Sequence, residues 1–192
     1  MLQILGSRTS PFVRRVRIVA TELGVPFALI DTTTDAGLRR LTEVSPIAKI
    51  PVALFGAEVV LDSHTIVERL LADHGYGPLR PPADPTVETR VGHVIDGALD
   101  AAINAFYLRK DGVAPGTVAY VDKQDRRVDS ALDWLQAHWH PAALGIPEIA
   151  AVTMLDWMQF RAVRDLSRWP TLAALRDAHQ DRPSFADTRP GT

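Results

Sequence analysis

Hydrophobic and polar positions alternate in two different ways along the 192 residues. In the first part, short apolar runs are interleaved with helical spacing. Leu2 to Leu5, closed by Gly6, predicts a buried strand. Pro11 opens a helix on which Val13, Val16, Val19, Ala20 and Leu23 recur on one face, and Gly24 sits where a helix end favours glycine. Phe27 to Asp31 predicts a second strand, residues 35–42 a short helix, and Pro51–Phe55 and Glu58–Leu61 two strands about a turn at Gly56. Ser63 caps a further helix with Ile66, Val67, Leu70 and Leu71 turned inward. The order is β-α-β-α-β-β-α.

The pattern changes after GYGPLRPPADPT, residues 75–86, whose four prolines and two glycines can continue neither helix nor central strand. Only helical spacing follows. Val87, Val91, Val94, Ile95, Ala98, Leu99, Ala102, Ile103 and Phe106 mark a long amphipathic helix. A second is expected from about residue 116 to 139, and a third, apolar on most faces, from about 148 to 164. A fourth starts at Pro170 and ends before Arg182-Pro183. The expected organisation is an α/β domain over 1–75, a linker over 76–86, and an all-α helical bundle domain over 87–192.

Composition narrows the chemistry. A net charge of −2 gives no electrostatic reason to expect nucleic acid or an anionic membrane as partner. No apolar stretch is long enough to span a bilayer, and the N-terminus lacks the order of a secretory signal, so a cytoplasmic protein is expected. The absence of cysteine removes disulfides, zinc–thiolate sites and a cysteine nucleophile. His138 and His140 would point apart on a helix with no acidic third ligand adjacent, so no metal site is expected. Arg14, Arg15 and Arg17 are expected on the solvated side of the first helix.

Three segments carry candidate chemistry. In SRTSPF, residues 7–12, Ser10 precedes Pro11 at a helix start. A capping role explains that serine fully. The same position also puts a hydroxyl beside free N–H groups and the positive end of a helix dipole, where an anion such as a thiolate is stabilised. In SPIAKIPV, residues 45–52, Pro51 starts a strand; it is either an ordinary trans proline or a cis turn that frees the Ile50 backbone for an extended peptide. In LDSHTIVERL, residues 61–70, Asp62 and Ser63 either cap a helix or bind the ammonium and carboxylate of an α-amino acid end.

The motifs S-P-F-x-R-R-V-R-I (10–18), S-P-x-x-K-I-P-V (45–52) and D-S-x-x-I (62–66), with W-P-x-L-x-x-L-R-x-x-x-x-x-R-P-S-F (169–185), resemble those of cytosolic glutathione S-transferases, most nearly the bacterial serine-type enzymes with zeta- and omega-like starts. The resemblance spans nearly the whole chain. It implies a thioredoxin-like N-terminal domain with a mixed four-stranded sheet, followed by the helical domain. It further implies that Ser10 activates the sulfur of glutathione, a co-substrate, with Thr9 and Ser7 as rivals, and that Phe12 lines the site. Lys49 would reach the glycine carboxylate, and Ile50, before a cis Pro51, would pair with the cysteinyl part. Asp62 and Ser63 would hold the γ-glutamyl end, and an apolar co-substrate would meet Phe106, Tyr107 and Arg109. A homodimer and a detoxifying transferase are implied; a scaffold protein, or a glutathione-dependent isomerase or dehalogenase, are the alternatives on the same fold. Two departures stand out. Ala48 replaces the usual glycine before the lysine, and the hydroxyl-plus-aspartate cap before the buried helix is missing near Pro147-Glu148. Without cysteine, a protein mixed disulfide cannot form.

Overall fold

The computed structural model describes residues 1–141 and 143–191; Ala142 and Thr192, the latter the last residue of the expected helical domain, lie outside the described set. Two compact units emerge, Met1–Pro81 together with the segment from Gln180, and Pro82–His179.

In the first unit, strands β1 (Leu2–Gly6), β2 (Phe27–Asp31), β3 (Val52–Phe55) and β4 (Glu58–Leu61) form one sheet in the order β2-β1-β3-β4. β1 runs parallel to β2 and antiparallel to β3, and β3 pairs antiparallel with β4. Helices α1 (Pro11–Glu22), α2 (Asp35–Val44) and α3 (Ser63–His74) complete the thioredoxin-like arrangement. Because side chains alternate along a strand, Leu5, Val52 and Leu54 face one side and pack with Leu41 of α2. Ile4 and Ala53, the alternate positions, are fully buried on the opposite face. β1 turns into α1 through Gly6, where a Cβ would stand 2.2 Å from Val13 Cγ2, so no larger residue fits that corner.

The second unit is mostly helical: α4 (Pro85–Lys110), α5 (Ala119–His138), α6 (Ile146–Phe160), a 3-10 turn at Leu166–Arg168 and α7 (Pro170–His179). Asp84 caps α4 by accepting from Thr86 N at 2.9 Å and Val87 N at 3.1 Å. Val121, Val128, Leu132 and Leu135 of α5 are buried as their spacing predicts, and α6 is buried on most of its faces. The expected span of α6, to about residue 164, is too long. The helix stops because Ala162 takes a left-handed φ of 52°, with Ala162 N bonded to Gln159 O and Val163 N to Met158 O.

Two expectations need correction. Residues 180–191 group with the first unit rather than with the helical one. The short helix α8 (Pro183–Ala186), absent from the sequence reading, packs there: Glu22 of α1 accepts from Arg182 Nε at 2.7 Å and also from the Ser184 hydroxyl. The arginines of α1 are not solvated either. Arg14, Arg15 and Arg17 are buried, because α1 is covered by α3 on one side and by this returning segment on the other. Arg14 donates to Thr188 Oγ1 at 3.2 Å and Phe185 O at 3.1 Å and stacks over the Phe185 ring. Burial, with repulsion from Arg8 and Arg14, lowers the pKa of Arg17.

Candidate functional site

Strand register decides what meets at the end of the sheet. Val52 pairs with Leu5 on one side and with Leu61 on the other. The next residues along these three strands are Gly6, Pro51 and Asp62, so one sheet edge collects the β1–α1 corner, the Ile50–Pro51 step and the start of α3. Two helix N-termini open there, with Ser10 as N-cap of α1 and Asp62 as N-cap of α3. Their unpaired N–H groups and dipoles make this the electropositive end of the unit.

Ser10 Oγ accepts from Val13 N at 3.3 Å. That bond uses a lone pair and leaves the hydroxyl proton available for another acceptor. Ser7 and Thr9 precede it in the same corner, half-buried. Phe12, in the first turn, lies 5.5 Å beneath the Arg15 guanidinium. Arg15 Nη1 reaches His64 Nε2 at 3.3 Å, which ties the second turn of α1 to the first turn of α3.

The Ile50–Pro51 peptide is cis. Pro51 is buried, Ile50 packs against the cluster of Leu5, Val52 and Leu54, and Lys49 is exposed. Ala48 takes a φ of 48°, the left-handed conformation for which glycine is suited. Asp62 has a φ of 73°, strained for a residue with a Cβ, and its carboxylate accepts from His64 N at 2.8 Å. Asp62 remains exposed, whereas Ser63 is buried at 1% exposure. Ser10, Ile50, Pro51, Asp62 and Ser63 thus share one edge. Among the described residues no group of three or more His, Asp or Glu could hold a metal ion, and no helix is long and apolar enough to cross a membrane.

Residues 4–81 match the glutathione S-transferase N-terminal domain family. Over the whole length the chain is similar to the uncharacterized GST-like protein YibF of Escherichia coli strain K12, at 26% identity with 98% of both chains covered. Among solved structures it resembles a glutathione S-transferase of Methylobacterium radiotolerans in complex with glutathione sulfonate, at 28% identity and a TM-score of 0.85, covering 100% of this chain and 95% of that one. It also resembles a glutathione transferase family member of Pseudomonas fluorescens Pf-5 with bound glutathione, at 26% identity and a TM-score of 0.84, with 100% of both chains covered. These likenesses support a glutathione S-transferase family.

The second group of expected residues lies at the C-terminal end of α4. Phe106 makes edge contacts with Tyr107, at 5.3 Å between ring centroids, and with Trp157 of α6, at 5.6 Å. Tyr107 is half exposed. Arg109 is bound to Asp125 of α5 through two hydrogen bonds, one of them at 3.2 Å, so its guanidinium is engaged inside the helical unit. Asp125 also accepts from Arg164 at 3.0 Å; burial raises its pKa, but the two arginines outweigh that and lower it overall. Sequence reasoning missed Arg161, whose guanidinium lies 5.2 Å from the Phe106 ring centroid and 4.6 Å from that of Phe160. No spacing rule links position 161 to 106; only the packing of α6 on α4 does.

The missing cap of α6 is half restored. Glu148, 1% exposed, accepts from Gly145 N at 3.0 Å. Gly145 has no side chain to return the bond, so one arm of the usual reciprocal pair remains.

Proposed function

We propose that this protein is a serine-type glutathione transferase, working as a cytoplasmic homodimer. The observation that carries the reading is the convergence, set by strand register, of two capped helix N-termini and the Ile50–Pro51 step at one sheet edge. The glutathione and glutathione sulfonate held by its structural neighbours support the same ligand here. Ser10 keeps a proton to donate while its oxygen caps α1. Donated to the sulfur of glutathione, that proton and the helix dipole favour the thiolate. Lys49 takes the glycine carboxylate, the Ile50 backbone the cysteinyl amide, Asp62 the γ-glutamyl ammonium and Ser63 its carboxylate, with Phe12 beside the thiol.

The thiolate then attacks an electrophilic carbon of a largely apolar co-substrate. The sulfur lone pair forms the S–C bond, and the leaving group departs with the electrons of the bond it breaks. Phe106, Tyr107 and Arg109 were expected to serve that co-substrate. The aromatic contacts of Phe106 and Tyr107 fit the role, and Arg161 beside Phe106 fits it better than the paired Arg109.

A thiol pKa drop of about two units corresponds to roughly 2.7 kcal/mol. Ser10→Ala should therefore raise the thiol pKa of bound glutathione, read by thiolate absorbance, and cut turnover of a reactive aryl halide up to about a hundredfold. Retention on immobilised glutathione should persist. Unchanged turnover and thiol pKa would move the role to Thr9 or Ser7; failure of the native protein to bind glutathione would favour a scaffold.

A further inference from the structure

An aromatic ring meets only part of what an arginine needs. The ring face attracts the cation but accepts none of the N–H bonds that lie in the guanidinium plane, so those donors still call for an acceptor. Arg69 lies over Phe55 and also meets Glu58 and Asp73; Arg168 lies over Trp169 and also meets Asp133. Arg109, Arg164 and Arg176 of the helical unit are paired with aspartates as well. Arg161 is not. Its guanidinium lies over the Phe106 and Phe160 rings, and its Nε is buried without a hydrogen-bond partner. No carboxylate meets it among the described residues.

The surroundings of Arg161 are aromatic and accessible. Phe160 is 43% exposed and Tyr107 is 50% exposed. Phe106 joins them, edge-on to Tyr107 and beneath Arg161. Lys110 Nζ, 5.9 Å from the Tyr107 ring centroid, adds a second cation at the same end of α4. The acids that flank Arg161 in sequence are engaged elsewhere, Asp156 by Arg176 and Asp165 by Ser167. The result is an aromatic cluster with excess positive charge, lying wholly within the helical unit.

The unmet donors select the missing group. A carboxylate accepts two parallel hydrogen bonds from the planar guanidinium fork. Stacking on two rings holds that fork in place beforehand, so little freedom is lost when the anion arrives. Phe106 and Tyr107 are the residues assigned to the co-substrate, so the anion belongs on the electrophile. Given the transferase function proposed above, we propose that the co-substrate is an electrophile carrying a carboxylate, which Arg161 holds while Tyr107 and Phe160 receive its apolar body. The carboxylate is a spectator to the chemistry. The sulfur lone pair forms the S–C bond, the leaving group takes the electrons of the bond it breaks, and the carboxylate keeps its charge throughout.

The test uses the full-length protein, glutathione, and two aryl chlorides with the same ring and leaving group, anionic 4-chloro-3,5-dinitrobenzoate and uncharged 4-chloro-3,5-dinitrobenzamide. Each kcat/KM is divided by the uncatalysed rate constant with glutathione, which removes the difference in intrinsic reactivity. The native protein should then favour the acid about tenfold, and added potassium chloride should shrink that preference. Arg161→Gln should abolish the preference, mainly through KM for the acid, because the carboxylate is held equally before and during attack. Arg161→Lys should keep part of it, since the charge remains and the fork is lost. A merely structural role would move both substrates alike and leave their ratio unchanged. Turnover of the amide with no preference for the acid, a preference insensitive to salt, or one that survives in Arg161→Gln would each overturn this substrate class and leave the transferase function standing. Turnover of neither by the native protein would overturn both.

Discussion

Replacing Ala162 by glycine should stabilise the protein, although it removes a methyl group and adds no contact. Three helices end in the same hydrogen-bonded pattern. α1 closes with Val25 N on Ala20 O and Gly24 N on Thr21 O; α4 closes with Val113 N on Leu108 O and Gly112 N on Arg109 O; α6 closes with Val163 N on Met158 O and Ala162 N on Gln159 O. The residue at the turn has a φ of 67° in Gly24, 96° in Gly112 and 52° in Ala162. Only the third carries a Cβ into the left-handed region, at a cost of about 1–2 kcal/mol. Glycine relieves that cost but gives the unfolded chain extra freedom worth roughly 0.4–1 kcal/mol. The net gain is about 0.5–1 kcal/mol, or some 2–3 °C for a chain of this size. Gly24→Ala is the mirror experiment. Nothing stands within 4 Å of the added Cβ, so its loss is conformational alone and should be of similar size with opposite sign. Urea titration reads both as midpoint shifts at constant slope. A lower midpoint for Ala162→Gly, or no loss for Gly24→Ala, would refute the argument.

Further outcomes follow from the same geometry. Glu148→Ala should cost about 1–3 kcal/mol by leaving the Gly145 amide without its acceptor, and Glu148→Gln should recover most of that in thermal unfolding. Asp125 has a folded-state pKa below its unfolded value, so its contribution is full above about pH 4 and is lost as pH falls through the folded pKa. Acid unfolding of Asp125→Asn should accordingly be less steep below that pH than that of the native protein, by circular dichroism. Lys49→Ala should raise KM for glutathione with little change in kcat, since the lysine is assigned to binding remote from the sulfur; an equal fall in kcat and kcat/KM would contradict that assignment.

Much of the fold was legible because the signals were local. Ser10-Pro11 and Gly24 bracket α1 as their residue types require, and the proline-rich stretch separates the two kinds of hydrophobic period. The candidate edge was legible only in part. Ser10 and Asp62 could be read as caps, but their convergence depends on Val52 pairing with both Leu5 and Leu61, a fact of register and not of spacing. The burial of Arg14 could not be read at all. It depends on Phe185 and Thr188, more than 170 positions away, and a helix wheel shows such an arginine as polar surface. Glu148 escaped for another reason: a familiar cap was sought as hydroxyl and aspartate, whereas a longer acid reaches the Gly145 amide from the third helical position.

The return of the segment around α8 to α1 has a consequence for biosynthesis. During translation the sheet and its first three helices emerge early, but the cover over Arg14 and Glu22 is encoded at residues 182–188, beyond the whole helical unit. The first unit to leave the ribosome is therefore the last to be finished. Until those residues arrive, a nascent chain exposes a charged helix flank that chaperones, or a fragment cut after Pro81, would meet uncovered.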